Sequence, residues 1–526
     1  MTSVLGQPIS DARDGENNPI EFDIAYPVGG RLEEAVAEVR RRHGDSVYLL
    51  PISGASAGGG IFQSAGKPDG SVVGLRFDPP AEPSIRIGSG VDLSGLGLDE
   101  IVIDIESRQL CAGAAVTLDQ LSRALRQEVG HNFRVPGADL TSYQYAAVGA
   151  TFMTGGMGPQ RRYFSDSVVE AAIYDGRSTR VVDGDALRGF AGTYGWSGIV
   201  GAVRCNYYRF PENEIAFALP LRQTPAGLSG LLGKLSAYTF LDLDGDRVHS
   251  TANALDLILG LEHVSAQSMQ PLLRDTADNA ITARARELRQ KTIDADADAL
   301  IFVNGCSERA VDEFLLDLAD ELPDGEYAIA GIGLEHAEVF GDGEEMRAVR
   351  EAIPYAARMQ KPAGRLVYKN HTDADLRLAE AGVGEAARRL WEINCTYVDS
   401  VEEYFGAHAG ITGEILVYGH LNPYGVDPHN RVTMSSDDET EFRQARKFLV
   451  ERRASYYRDL AALCETGAAT FVGGEKTADS ELAIFAALGG PERAPADLYR
   501  RYRLQREAVR DAATMFNWRA PPLYGR

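Results

Sequence analysis

Three glycine-rich clusters lie between residues 53 and 201, and they constrain the fold more than any other feature of the chain. They are Ser53-Gly54-Ala55-Ser56-Ala57-Gly58-Gly59-Gly60, then Val148-Gly149-Ala150 running on to Thr154-Gly155-Gly156-Met157-Gly158, then Gly195-Trp196-Ser197-Gly198-Ile199-Val200-Gly201. Without side chains in the way, successive backbone N–H groups can close around an anion, or a strip of backbone can lie flat against a ring. The first cluster follows a strand candidate, Val47 to Ile52, as an anion nest requires. One such cluster alone reads as a turn; three in one region are too many for that reading. The second sits in an uncharged run, Leu140 to Gln160, which is too rich in Ser, Thr, Gln and Gly for a membrane span. Two familiar phosphate motifs fail. Gly95-Leu96-Gly97 runs to Glu100 where the dinucleotide pattern needs a third glycine. Gly233-Lys234 is followed by Leu235, and Glu475 separates Gly474 from Lys476, so a Walker A loop is absent as well.

The elements around these clusters alternate. Arg31 to Arg42 reads as a helix with Leu32, Val36 and Val39 on one side, and Ile101 to Ile105 as a strand. Thr117 with Gln120 three residues on forms a capping box, and Leu118, Leu121, Leu125 and Val129 keep helical spacing behind it. Near Phe217 the character changes. Ala299 to Val303 is a strand and Ala310 to Leu322 an amphipathic helix with Phe314, Leu315 and Leu318 inward. A long helix then runs from Asp438 to Leu463, with Ser435 and Ser436 as cap candidates and Phe442, Leu449 and Leu460 on it; Leu498 to Val509 is helical too. At 526 residues and 44% hydrophobic composition the chain has room for about two to four domains. A net charge of −23 excludes nucleic acid and anionic membrane surfaces as partners of most of the surface. Five scattered cysteines without a C-x-x-C argue against a disulfide framework or a thiolate zinc site, and a reducing cytoplasm is expected. The start, MTSVLGQPISDARDGENN, lacks the basic and apolar segments of a signal peptide.

The order of the motifs is the specific signal. A helix is followed by Leu49-Leu50-Pro51-Ile52-Ser53-Gly54-Ala55-Ser56, by Gly113 with its capped helix, and by Pro136-Gly137-Ala138-Asp139. Next come Val148-Gly149-Ala150, Gly155-Gly156-Met157-Gly158, Asp166-Ser167-Val168, Asp175-Gly176 and Gly198-Ile199-Val200-Gly201. This series resembles the FAD domain of the vanillyl-alcohol-oxidase type flavoproteins, also called the p-cresol methylhydroxylase (PCMH) type. The resemblance implies an α+β fold: a two-subdomain FAD-binding domain plus an inserted α+β substrate, or cap, domain with an antiparallel sheet. It places a polar arm at 1–25, the FAD domain at 26–215, the cap at 216–484 and a segment returning to the FAD domain at 485–526. It implies FAD contacts from Ser53, Gly54, Ala55, Ser56, Ala57, Gly58, Pro136, Val148, Gly149, Thr154, Gly155, Gly156, Gly158, Gly198 and Val203. Neither His nor Cys stands among Ser53 to Gly60, so the flavin is expected to be non-covalent.

The C-terminal half points to a branch. Arg350-Glu351-Ala352-Ile353-Pro354 is similar to a segment of the D-lactate and D-2-hydroxyglutarate dehydrogenases in which the Arg binds the substrate carboxylate, and Val367-Tyr368-Lys369 resembles their second cation. Tyr418-Gly419-His420-Leu421-Asn422, Asp427-Pro428-His429-Asn430-Arg431 and Gly473-Gly474-Glu475 resemble the branch's Gly-His…Asn-x-His and Gly-Glu segments. That resemblance implies one divalent metal ion (Zn, Mn or Fe) on His420, His429 and Glu475; a metal-free general base, His429 or His420, is the alternative. Pro423, Gly425 and Pro428 suit a loop bulging between the two histidines. His371, beside Lys369, is ambiguous; His43, His131, His249, His263, His336 and His408 are read as packing residues. The implied activity is hydride transfer from a small anionic 2-hydroxy carboxylate to flavin N5. The electron acceptor is unassigned, no membrane span is involved, and a homodimer is compatible with the resemblance. Two alternatives stand beside it: a vanillyl-type phenol or alcohol oxidase using Tyr456-Tyr457-Arg458, and a flavin-binding subunit without dehydrogenase activity, to which the missing Asp-Gly-Asn core leaves room.

Overall fold

The structure is a computed structural model that describes residues 5–10, 22–52, 71–138, 143–158, 163–210, 215–221, 242–244, 247–249, 258–265, 279–297, 299–305, 338–340, 345–350, 352, 366–379, 382–422, 425–474 and 477–516. Its N-terminal half begins with a parallel sheet. Strands β1 (Ile24–Pro27), β2 (Tyr48–Ile52) and β3 (Val72–Arg76) pair in the order β1-β3-β2. The chain passes from β1 to β2 through the Leu32–His43 helix, whose Leu32, Ala35, Val36 and Val39 face the core. Gly74 lets β3 sit close to its neighbours: a Cβ there would lie 2.6 Å from Ala25 Cβ and 2.8 Å from Ile52 Cδ1.

A second sheet follows, built from β4 (Ser84–Ile87), β5 (Glu100–Asp104), β6 (Gln109–Gly113), β8 (Val168–Tyr174), β9 (Thr179–Asp183) and β10 (Ile199–Asn206) in the order β4-β5-β6-β10-β8-β9. It is antiparallel except between β4 and β5. A small sheet of β7 (Phe133–Arg134), β11 (Tyr208–Arg209), β13 (Asp242–Asp244) and β14 (Arg247–His249) flanks it. The capped helix forms as expected at Leu118–Glu128, with the Thr117 hydroxyl accepting from Gln120 N and the Gln120 side chain accepting from Thr117 N. One core joins both sheets, including Leu49, Val73, Leu121, Leu125, Phe152 and Val203.

The C-terminal half is organised around one sheet, nine-stranded among the described residues. Its strands are β12 (Ile215–Leu221), β15 (Ile258–Ser265), β16 (Ala299–Gly305), β17 (Glu338–Phe340), β18 (Leu366–Asp373), β19 (Asp375–Leu378), β20 (Thr412–Asn422), β21 (Gly425–Ser436) and β22 (Ala469–Gly473). The order is β17-β12-β16-β15-β20-β21-β19-β22 with β18 also on β21, and the pairings are antiparallel. The back face, with Phe217, Val303, Ile415, Val417, Val432 and Met434, shares a core with the Val383–Ala407 and Glu439–Glu465 helices. On the front face, Ala216, Ala218, Leu300 and Phe302 pack with Leu288 of the Ala280–Asp294 helix and with Val349 of the helical segment 345–350. The front face of β20, β21 and β18 is polar.

The last helix, Ala496–Phe516, touches both halves. Leu498, Tyr502 and Val509 join the C-terminal core, Ala512 joins the N-terminal one, and Gln505 Nε2 donates to Ala191 O at 2.8 Å. At the other end Leu5 and Ile9 form bridges to Val28 and Ala25. No helix of the described residues is long and apolar enough to cross a membrane. Two expectations need correction. The Glu439–Glu465 helix is capped by Asp438, which accepts from Thr440 N and Glu441 N, whereas Ser435 and Ser436 end β21. Among the described residues, the segment between the histidines is strand and not a bulged loop: β20 and β21 pair in continuous register from Thr412↔Ser435 to Asn422↔Gly425, with Pro428 inside the strand, and Pro423 lies outside the described residues. The helix expected at Ala310 to Leu322 lies outside the described residues.

Candidate functional site

Cross-strand register assembles the site. Residues opposite one another in an antiparallel pair share a face, and so do residues two apart along a strand. His420 stands opposite Glu262 of β15, His429 opposite Asp373 of β18, and Arg431 opposite His371. Because His429 is also opposite Tyr418, two residues before His420, the two histidines are diagonal neighbours on the front face. The hairpin therefore does what a bulged loop was expected to do. Glu262, His371, His420, His429 and Arg431 are all buried. The rings of His371 and His429 meet edge to face with centroids 5.8 Å apart, which brings His371 next to His429 on this face.

Arg350 reaches the same face from the helical segment 345–350. Its Nε lies 2.9 Å from Glu262 Oε2, and both residues are only 2% exposed. A charge this deep must be compensated, and Glu262 compensates it. Glu262 was not identified from the sequence; its one signal is an acid in a strand that otherwise reads Ile-Leu-Gly-Leu before it and Val after His263. Arg431, quoted in the Asp427–Arg431 segment without a role, shares the face of His429 by strand alternation, and Asp373 was missed because only sheet register brings it opposite His429. Lys369 lies in β18 opposite Thr433, two residues before His371. Glu475 lies outside the described residues, and among the described residues no group of three His, Cys, Asp or Glu side chains is arranged to hold a metal ion.

The residues that the resemblance assigns to the flavin lie in the glycine-rich backbone of the N-terminal half. Ser53, Gly54, Ala55, Ser56, Ala57 and Gly58 lie outside the described residues. Val148 to Thr154 is a short helix whose first amides donate inward, Val148 N to Val116 O and Gly149 N to Ala114 O. A Cβ on Gly149 would stand 2.7 Å from Ala114 Cβ, and one on Gly198 2.7 Å from Ile173 Cγ2, so close packing alone requires both glycines. Val203 is in the core and the Pro136 carbonyl accepts from Ser167 Oγ at 2.6 Å. Gly155 closes the helix in the left-handed region, φ 72°, and Gly155, Gly156 and Gly158 are buried with no side chains of their own. Both ends of this stretch reach the other half: Arg347 lies over the Tyr143 ring, 5.4 Å from its centroid, and the Tyr163 hydroxyl is 3.0 Å from where a Gly473 Cβ would stand. Gly155, Gly156 and Gly158 thus form a neutral stretch of backbone without side chains of the kind that can lie flat against a ring.

No family profile and no curated protein matches the chain. Solved structures do match. The 4-ethylphenol oxidase of Gulosibacter chungangensis superposes with a TM-score of 0.56 at 13% identity, covering 95% of this chain and 88% of that one. An alkyldihydroxyacetonephosphate synthase gives 0.55 at 14% identity over 86% and 75%. The berberine bridge enzyme of Eschscholzia californica gives 0.52 at 13% over 95% and 89%. At such identities the likeness is one of fold, and it does not single out the hydroxy-acid branch. The fold of this chain is the mixed helix-and-sheet architecture of the PCMH-type FAD-binding oxidases.

Proposed function

We propose that the chain is an FAD-dependent oxidoreductase that takes a hydride from the hydroxyl-bearing carbon of a small 2-hydroxy carboxylate on the polar half of the front sheet face. The observation that carries this reading is the buried set His371, His420, His429 and Arg431 on one face of the C-terminal sheet. Imidazole is the ordinary side-chain base near neutral pH, and alcohol oxidation needs the hydroxyl proton removed as the hydride leaves. Bound FAD supplies the hydride acceptor, which no side chain can. His429, or His420 diagonal to it, takes the hydroxyl proton on a ring nitrogen. Arg350 and Lys369 orient the carboxylate, with Glu262 fixing the Arg350 guanidinium through its Nε. Ser53 to Gly58, the Gly155 to Gly158 stretch and Gly198 hold the flavin without a covalent bond. A divalent ion (Zn, Mn or Fe) on His420, His429 and Glu475 is the metal-assisted form of the same proposal; elemental analysis before and after chelation, with turnover alongside, separates it from the metal-free base.

A second reading, phenol or alkylphenol oxidation, is favoured by Tyr143 and Tyr163 at the junction of the halves and by the likeness to the 4-ethylphenol oxidase fold. The tyrosines offered for it from the sequence, Tyr456 and Tyr457, are buried on the back face and do not serve it. The test is anaerobic titration of the yellow holoenzyme with both enantiomers of lactate, malate and 2-hydroxyglutarate, and with 4-alkylphenols. Bleaching by a hydroxy acid supports the proposal, and bleaching by phenols alone transfers it to the second reading. No bleaching by either leaves a flavin-binding subunit.

A further inference from the structure

Behind the histidine-bearing rungs, in a helix–sheet layer built mainly from apolar side chains, lies a polar cluster. Asn430 and Thr372 are directly opposite in the β18–β21 register, and Asn430 Nδ2 donates both to Thr372 Oγ1 at 2.8 Å and to Asn394 Oδ1 of the Val383–Ala407 helix at 2.7 Å. The Tyr456 hydroxyl, from the Glu439–Glu465 helix, donates to the same Asn394 oxygen at 3.4 Å. One residue further along, the Tyr457 hydroxyl donates to the Asp373 carbonyl at 3.0 Å. Thr372 and Asn430 are 0% exposed and Asn394 is 1% exposed. The neighbouring layer shows that apolar side chains pack this space without difficulty: Val432 and Met434 do so on the same strand. Burying three polar side chains there lowers stability relative to apolar packing unless their hydrogen bonds are made, and a bonded network fixes one geometry.

The location says which geometry. Thr372 lies between His371 and Asp373, and Asn430 between His429 and Arg431, so the bridged rung is flanked on both sides by rungs of the front face. A strand pair clamped at that rung cannot slide or splay without breaking the bridge, and the two rings in edge-to-face contact at 5.8 Å are attached to it. We infer that Asn394, Asn430 and Thr372 are positioning residues that set the mutual placement of His371 and His429, and that His371 is thereby the working partner of His429 on the front face. The inference rests on the reading of that face as the reaction site.

Thr372→Val keeps the shape and removes the acceptor, while Thr372→Ser keeps the hydroxyl; Asn394→Leu is a second variant should the first fold poorly. The nine histidines, labelled with carbon-13 in the holoenzyme, report ring placement independently of any substrate, with His371→Gln and His429→Gln providing the assignments. Thr372→Val or Asn394→Leu is expected to shift the His371 and His429 signals. It is also expected to slow flavin reduction by about 10- to 100-fold, the scale of a misplacement of about 1 Å. Binding of oxalate, an unreactive dicarboxylate probe read from the flavin spectrum, should change by less than about threefold. Thr372→Ser should recover most of the rate. Unmoved histidine signals in a folded variant overturn the inference. Equal losses in Val and Ser variants that track only a falling Tm overturn it too, since the cluster is then mere packing. A His429→Ala enzyme that reduces its flavin at the parent rate overturns the reading of the face, while the histidine signals still decide the positioning claim.

Discussion

Arg350 and Glu262 bury opposite charges against each other, so each alone would be a charge in a poor solvent. Arg350→Ala should therefore lower unfolding free energy by about 3–5 kcal/mol, as breaking one side of a buried pair does, measured by denaturant unfolding of the holoenzyme. The double variant Glu262→Gln with Arg350→Met should recover most of that loss, because no uncompensated charge remains. The same Arg350→Ala change is expected to lower kcat/KM more than tenfold, about 1.4 kcal/mol. A loss under about threefold removes Arg350 from substrate binding. Sequence brought Arg350, His420 and His429 forward as candidates because they sit in short motifs. It could not bring forward Glu262 or Asp373, whose places beside the histidines come from cross-strand register between segments far apart in the chain.

The elements divide by how local their causes are. The Leu118–Glu128 helix was legible because its stop and start signals are local: a complete capping box and Leu118, Leu121 and Leu125 at helical spacing, all buried. Thr117→Ala should cost about 1 kcal/mol of stability, the usual value of such a cap, read as a fall in Tm. The Val383–Ala407 helix was missed because it starts behind Gly382, in the left-handed region at φ 84° with no side-chain cap. The β20–β21 hairpin was misread as a loop because Gly425 and Pro428 are breakers in ordinary propensity; strand pairing overrides both. Gly113 shows the opposite case, a glycine whose necessity only packing reveals. A Cβ there would stand 2.2 Å from Gly97 O and 2.4 Å from Leu98 O, so Gly113→Ala must displace backbone at the end of β6. It should yield protein with lower flavin occupancy, measured as the ratio of visible to ultraviolet absorbance.

For the whole molecule, the two-part architecture was legible from the order of motifs, whereas the meeting of its halves was not. That junction depends on single long-range contacts, Arg347 over Tyr143, Tyr163 against Gly473 and Gln505 to Ala191, none of which leaves a periodic trace in the chain. The glycine clusters predict a yellow protein, and the absence of His and Cys from Ser53 to Gly60 predicts that acid precipitation releases its flavin to the supernatant. Colour retained in the pellet means a covalent link. The central claim is that hydride leaves a hydroxyl-bearing carbon on the front face while His429 handles the hydroxyl proton. Its most direct test is single-turnover flavin reduction by the best hydroxy acid of the panel, unlabelled and deuterated at C2, in parent and His429→Ala enzymes. The account predicts a primary isotope effect in the parent and a loss of about 100-fold or more in reduction rate for His429→Ala, the scale of a missing general base. Reduction of the variant's flavin at the parent rate, with the same isotope effect, would contradict it.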